Sequence, residues 1–324
     1  MINQPLLSIC IPTYKRPSYL AECLDALTRE DLSGVEILVR DNGSHDDTES
    51  VLRRYQVALG LRYEMGEVNE GPDRNFGRVL RMATGSYVWL LGDDDVVTTG
   101  SVTAIKRELL ARKPLLLQVG FIQATSTLKP LQQVSPIRAG QDDQGKVLNK
   151  AAYIEAQPNV SLLFAFMSSF VFSRSCWDYG ETAEKWYGTL YVHVYQIHSA
   201  LAASQSPRIA HLAEPGVFAR GNVPNSVTAN VGEIMWLDAR TLANLCRTVY
   251  GNDPAFQCAF SRVFQKVYSL RTITSVLAQT GKAIDEPTAS ALAYLGFSPL
   301  KLKLAAYLGQ PFLRNFALAL ARKS

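Results

Sequence analysis

Cysteine is scarce and without pattern: the 324 residues contain five, Cys10, Cys23, Cys176, Cys246 and Cys258. An odd count with no zinc-ligand or redox spacing excludes a disulfide framework and a zinc module, and points to a reduced, cytoplasmic protein. Long apolar runs are also missing. The longest, from Val160 to Phe172, is interrupted by Ser168 and Ser169 and falls short of the roughly 20 residues a membrane-spanning helix needs. The start, MINQPLLSICIPTY, has no basic residue before its apolar stretch, which Pro12 cuts short, so no secretory leader is expected. There is no low-complexity segment and no internal repeat. Strong charge of either sign is absent too: a net charge of +4 gives no ground for a nucleic-acid partner. What remains is a globular composition, 47% hydrophobic and 19% charged, long enough for one large domain or two unequal ones.

The most informative stretch is TGSYVWLLGDDDV, residues 84–96. Tyr87 to Leu91 is an uncharged run of β-formers, as expected of a strand buried on both faces. Gly92 ends it and Asp93, Asp94 and Asp95 follow. In a parallel α/β sheet, the carboxyl ends of the strands are where ligands bind. Three adjacent carboxylates repel one another there, and a divalent cation would remove the repulsion and hold a phosphate in turn. A solvated acidic turn would look the same in isolation, so the residues upstream decide.

Leu6 to Ile11 is a first strand, followed by the turn PTYKRP and a helix from Tyr19 to Thr28 with Ser18 as its expected cap. Val35 to Val39 is a second strand, ending in Arg40, Asp41, Asn42, Gly43 and Ser44. A helix over 48–55, capped by Asp46 or Asp47, a short strand over 61–64 and a helix over 74–83 complete the run into the acidic stretch. Strands alternating with helices mean βαβ units and a parallel sheet. Thr13, Tyr14 and Arg16, then Asp41, Asn42 and Ser44, then the aspartates would all stand at one edge of it, in a single cleft. Beyond, the pattern predicts a helix over 101–110, a strand over 115–122, loop over 124–150, a helix over 186–201 and strand then loop over 208–230. From Gly232 three stretches have helical spacing, which places a boundary near residue 230 between a domain 1–230 and a helical part 231–324.

The ordered set SICIPTYKRPSYLAECLDAL, VEILVRDNGSHDDT and NEGPDRNFGRVLRMATGSYVWLLGDDD resembles the nucleotide-binding half of inverting family-2 glycosyltransferases of the GT-A fold. Within that family, LLGDDD, SSFVFSR and YGTLYVHVYQI are most similar to abequosyltransferase-like enzymes of bacterial O-antigen assembly. The resemblance implies an α/β protein with a mostly parallel, Rossmann-like sheet and a helical C-terminal part. It also implies an inverting, metal-dependent transfer of a sugar from a nucleoside-diphosphate donor, CDP-linked in the narrower likeness, to a lipid-linked oligosaccharide or other surface polysaccharide precursor at the inner face of the plasma membrane. Pro12, Thr13 and Tyr14, together with Arg16, would line base and ribose. Asp41, beside Asn42, would accept a hydrogen bond from the base, and Arg74 would meet the diphosphate. Asp93 and Asp94 would serve the donor, and Asp93 with Asp95 would hold Mg²⁺ or Mn²⁺. Gly92 stands where the family has an aspartate, which leaves the metal contact open among the three. The family's Glu-Asp pair for the catalytic base is also missing. The corresponding region, GETAEKWYGTLYVHVYQI, offers Glu181, Glu184 and His193; His193 titrates near neutrality when free and is equally well a core residue.

Phe170, Trp177, Trp186, Tyr187 and Tyr191 form an aromatic stretch that would serve either as an acceptor wall or as core, and Arg220 with Asn222 could close over the diphosphate. The tail from residue 298 carries Lys301, Lys303, Arg314, Arg322 and Lys323 without an acid. It reads either as a segment for an anionic membrane surface or as a helix packed on its own domain or on a second copy of the chain. Two other functions stay in view. A nucleotidyltransferase should carry a glycine-rich first loop, and PTYKRP has no glycine; a non-catalytic nucleotide- or glycan-binding module would explain the missing Glu-Asp pair.

Overall fold

The computed structural model describes residues 4–177, 181–221, 231–280 and 283–308. The chain divides into two compact units, residues 1–150 with 161–227, and residues 151–160 with 228–324. The expected boundary at 230 lies outside the described residues. The return of 151–160 to the second unit is an excursion that no change of composition announces.

In chain order the elements are β1 (Leu7–Thr13), α1 (Pro17–Leu27), β2 (Val35–Asp41), α2 (Thr48–Leu59), β3 (Arg62–Met65), α3 (Pro72–Arg81), β4 (Tyr87–Leu90), β5 (Val96–Val97), α4 (Ser101–Arg112), β6 (Leu116–Ala124), β7 (Pro130–Val134), α5 (Lys150–Ala156), β8 (Phe170–Ser173), α6 (Glu181–Glu184), α7 (Val192–Ala203) and β9 (Ile209–Arg220). Helices α8 (Val231–Thr248), α9 (Pro254–Val267), α10 (Leu270–Thr280), α11 (Glu286–Tyr294) and α12 (Pro299–Leu308) follow. The strands form one sheet in the order β3-β2-β1-β4-β8-β6-β9-β5, with β7 beside β6. The first four strands are mutually parallel; β8 then runs antiparallel to both β4 and β6. Every residue of β1 is buried, because helices cover both faces of a parallel sheet.

Register fixes the edge that matters. Thr13 pairs with Asp41 across β1 and β2, and Cys10 pairs with Leu90 across β1 and β4. The loops after these three strands therefore emerge side by side. The core beneath them is apolar, with Ile9, Ile11, Leu24, Ile37, Val39 and Trp89 each at most 1% exposed.

Several local expectations shift. Helix α1 starts at Pro17 with Arg16 in the cap position, since proline's fixed φ suits the first helical residue, and no side chain caps it. Helix α7 starts at Val192 rather than at Trp186, because Gly188 and Leu190 have φ of 89° and 65° and cannot continue a right-handed helix. The stretch expected as loop contains β7, in which four of five residues are exposed, so it lacks the apolar alternation that marks a strand. In the second unit, Asp253 and Asp285 cap α9 and α11 by accepting amides of Ala255 and Thr288, with prolines at the first turns. Phe260, Phe264, Leu242, Leu245 and Leu292 fill its core.

Candidate active site

At the end of β4 the three aspartates are bound by four residues from three other segments. The Thr13 hydroxyl donates to Asp93 Oδ2 at 2.7 Å. Arg16 Nη1 donates to Asp93 Oδ1 at 2.9 Å and to Asp94 Oδ2 at 3.1 Å. The Ser168 hydroxyl donates to Asp95 Oδ2 at 2.5 Å while accepting the Gly92 amide at 2.9 Å. From the end of β9, the Arg220 amide donates to Asp95 Oδ1 at 3.1 Å, and Arg220 Nε donates to the Asp94 carbonyl at 2.9 Å. The rest of the Arg220 guanidinium reaches the Ser126 carbonyl and Glu22, both at 2.6 Å, and lies over the Tyr19 ring. A Cβ at Gly92 would sit 2.8 Å from Asp95 Oδ2 and 3.0 Å from Asp94 Oδ1. That crowding is why the usual aspartate cannot stand at this position while its neighbours keep these places.

Burial sets the electrostatics. Asp93 and Asp95 are 4% and 3% exposed, while the Asp94 side chain keeps 19% of its surface. Burial pushes the Asp93 carboxyl up to about 6, with the neighbouring Asp94 adding to the rise and Arg16 and Thr13 opposing it. Asp94 is raised by burial against the pull of Arg16, and Asp95 is raised further, by burial and by Asp94. Three carboxylates thus face two guanidinium groups, one of them shared with Glu22. This is a donor set that a divalent cation suits on charge. Among the described residues no group of three or more His, Cys, Asp and Glu side chains is gathered for a metal. A hard cation here would take much of its shell from phosphate oxygens and water, as Mg²⁺ commonly does. Both oxygens of Asp93 and of Asp95 hold protein donors, and one oxygen of Asp94 holds Arg16.

The loop after β2 is stitched to the same place. The Asn42 amide donates to the Thr13 carbonyl at 3.0 Å, and the Lys15 amide donates to the Ser44 hydroxyl at 2.7 Å. Pro12 is buried and Tyr14 half-buried at the edge. Asp41 is fully buried, and its carboxylate accepts the Gly43 and Ser44 amides at 3.0 and 2.9 Å and the Ser44 hydroxyl. These bonds to Asp41 shape the turn after β2. Gly43 is required in that turn: its φ is 76°, and a Cβ would come 2.7 Å from the Val68 backbone. Asn42 holds the next loop, donating to Asn69 Oδ1 at 2.8 Å and accepting the Glu70 amide at 3.0 Å.

Arg74 is exposed and its guanidinium lies 5.0 Å over the Tyr187 ring. Together with Gly71, Asp73, Gly188 and Leu190 these two residues line a cleft of about 290 Å³. The arginines described at the aspartates are Arg16 and Arg220; Arg74 belongs to this second wall. Glu184 is exposed and borders a smaller recess with Arg74, Arg78 and Arg81. The side chain of Glu181 lies outside the described residues, as does Asn222.

His193 departs from the role of base. It is 3% exposed, packs against the rings of Phe76, Phe170 and Tyr191, and has Nε2 3.3 Å from the Ala165 carbonyl. Burial lowers its pKa to about 4. Its helix is buried on nearly every side, so α7 brings an imidazole to the core. The aromatic stretch divides in the same way. Phe170, Trp177, Trp186 and Tyr191 are all at most 9% exposed, and Trp186 stacks on Tyr195 with centroids 4.2 Å apart. Only Tyr187 of the five reaches the cleft.

Ser168, Glu22 and Asp73 have roles that the sequence did not single out. The pair Ser168-Ser169 interrupts the longest apolar run near its end, and a hydroxyl at such a place must find a partner.

Residues 8–173 match the family described as glycosyl transferase family 2. The chain is 26% identical over 272 residues to the abequosyltransferase RfbV of Salmonella typhimurium, covering 81% of this chain and 80% of that protein. It is 25% identical over 197 residues to the GalNAc(5)-diNAcBac-PP-undecaprenol β-1,3-glucosyltransferase of Campylobacter jejuni, covering 59% and 60%. Among solved structures, residues 1–349 of S. aureus TarS in complex with UDP-GlcNAc superpose with a TM-score of 0.63 at 14% identity, covering 94% of this chain and 92% of that one. The mannosyltransferase PcManGT of Pyrobaculum calidifontis, in complex with GDP-Man and Mn²⁺, superposes with a TM-score of 0.52 at 17% identity, covering 95% and 88%. With its parallel strand ends and acidic turn meeting at one edge, the chain belongs to glycosyl transferase family 2 and is a glycosyltransferase of GT-A fold.

Proposed function

We propose that the protein moves a sugar from a nucleoside-diphosphate donor to a lipid-linked saccharide with inversion at the anomeric carbon. The observation that carries this reading is the convergence of Thr13, Arg16 and Arg220 on Asp93–Asp95 at the ends of three parallel strands. The relatives' names favour a bacterial surface-glycan precursor, with a deoxysugar on CDP as the first donor to try and a diphosphate lipid as the acceptor's carrier.

In the inferred mechanism, nucleoside and diphosphate lie across the loops after β1, β2 and β4. Asp94, the most exposed of the three aspartates, would hold Mg²⁺ or Mn²⁺, with Asp93 and Asp95 behind it. The bound ion would neutralise charge on the leaving diphosphate. Arg74 serves the same charge from the cleft. The acceptor hydroxyl attacks the anomeric carbon, the bond to the diphosphate oxygen breaks, and the hydroxyl proton passes to a carboxylate of α6. Glu184 is our choice for that base, with Glu181 one turn earlier as its alternative. Tyr187 offers the ring on which a sugar can stack. In the second unit, Leu300, Leu304 and Tyr307 are 77%, 53% and 57% exposed beside exposed Lys301 and Lys303. This face supports contact with an anionic membrane surface. Residues 309–324 lie outside the described residues, and no described helix is long and apolar enough to cross a membrane.

The test is turnover. The protein is incubated with Mn²⁺, a panel of CDP-, UDP-, GDP- and dTDP-sugars, and a solvent extract of bacterial lipid-linked saccharides. Release of one nucleoside diphosphate that requires the extract, with the product's anomeric configuration opposite to the donor's, supports the proposal. Binding without release would leave a nucleotide-binding module instead.

A further inference from the structure

Asp73 has no place in the acidic turn, yet it is 2% exposed and fully engaged. It stands in the first turn of α3. Its Oδ2 accepts the amides of Gly188 and Leu190, both at 2.8 Å, and its Oδ1 accepts the amide of Val192 at 3.1 Å. Amides of alternate residues point at one anion only when the backbone between them reverses hand, and Gly188 and Leu190 do have φ of 89° and 65°. For leucine that is a costly conformation that persists only where the surroundings impose it. The carboxylate also sits at two helix N-termini, that of α3 and that of α7, where negative charge is favoured. Burial raises its pKa, against the downward pull of these amides.

What hangs on the pinned turn is the second wall of the cleft. The Tyr187 amide donates to the Glu184 carbonyl at 3.0 Å and the Trp186 amide to the Ala183 carbonyl at 3.1 Å, so α6 joins the turn without a break. The Tyr187 hydroxyl lies 2.7 Å from where a Cβ at Gly77 would be, so the ring is seated directly on α3. On its other side α3 is tied to the donor loops: Asn75 Nδ2 donates to the Arg40 carbonyl at 3.2 Å and to the Thr13 carbonyl at 3.4 Å.

We propose that Asp73 is a positioning residue for sugar transfer, setting Glu184 and Tyr187 against the nucleotide-side loops through the backbone of residues 188–192. The inference rests on the glycosyl-transfer reading above and adds to it the group that registers the acceptor wall on the donor edge. Asp73 is buried at the margin of the cleft, with both carboxylate oxygens taken by backbone amides. Its loss should therefore leave donor affinity alone and lower the turnover rate.

The experiment uses the full chain and Asp73→Asn, whose amide group sets a donor against one of the three backbone donors, with Asp73→Glu as a second variant that keeps the charge. Three readouts are taken: nucleoside-diphosphate affinity by calorimetry with Mn²⁺, kcat and donor KM with the lipid-linked extract, and hydrogen exchange of the amides of 188, 190 and 192. For Asp73→Asn we expect donor affinity and donor KM within about twofold of wild type, kcat lower by about 100-fold, the scale of a misplacement near 1 Å, and faster exchange at the three amides. Asp73→Glu should fall between. Unchanged exchange, or donor affinity falling in step with kcat, would overturn the proposal. If the wild type turns over no donor, the glycosyl-transfer reading is what has failed, and exchange at the three amides still decides whether Asp73 holds the turn.

Discussion

Thr13, Asp41 and Asp93 stand at or just beyond the ends of three parallel strands, and strand register alone brings them together. Tyr187, Gly188 and Leu190 line a cleft with Arg74 from a segment without regular structure, held by one buried carboxylate, Asp73. The two sides of the cleft are therefore held by different physics. On the donor side many backbone pairs share the load, and removing any one side chain leaves the edge in place. On the acceptor side a few side chain-to-backbone bonds fix everything, so small changes there should have large functional effects and modest effects on stability.

Activity gives the widest contrast. Glu184→Gln should lower turnover by about 10²- to 10⁴-fold, the usual contribution of general base catalysis, with donor affinity unchanged in calorimetry. His193→Gln, at a buried site away from solvent, should lower it far less; the reverse ranking would return the base to the histidine. On the donor side the expected effect is on stability. Arg16→Ala strips Asp93 and Asp94 of their shared partner, and leaving a buried carboxylate unpaired should cost about 3 kcal/mol in urea unfolding. A loss below about 1 kcal/mol would show that the pair is not a buried one.

Smaller is the pH effect. His193, His198 and His211 have pKa values lowered to about 4 by burial, below the free value near 6.5. Between those limits the unfolded chain binds more protons, so their contribution is complete above about pH 6.5 and is lost as pH falls toward 4. His193→Gln should flatten that decline by up to about 1.4 kcal/mol per pH unit, measured as the difference in slope between variant and wild type; an unchanged slope would mean that His193 is solvated. Smallest is Asp253→Ala in the helical unit, where loss of a single cap should cost about 1 kcal/mol and leave donor binding untouched.

The donor side was legible because its signals are local and ordered: a β-run, a turn and a helix, three times over. Periodicity and turn residues place strand ends, and parallel topology turns strand ends into an edge. The acceptor side was not. WYGTLYVHVYQI has helical spacing throughout, yet six of its residues form a turn, because Asp73, more than a hundred positions away, stabilises left-handed backbone at Gly188 and Leu190. His193 illustrates the same limit. Its chemistry is suited to a base, and only packing against Phe76, Phe170 and Tyr191 reveals that it is buried. Gly92 was visible as a departure from the family pattern, but the reason for it, the approach of Asp95, needs three dimensions. Arg220 was visible as a basic residue in a loop; that it closes onto Asp94 and Asp95 follows from where β9 ends.

The measurement that tests the central claim most directly is calorimetric titration of wild type and Asp94→Asn with CDP, UDP, GDP and dTDP, each with Mn²⁺ and with EDTA. The account predicts that one nucleotide binds wild type in the presence of metal and that its affinity falls at least tenfold on chelation or with Asp94→Asn. Binding indifferent to both, or no binding of any of the four, would contradict the assignment of the donor site to the ends of β1, β2 and β4.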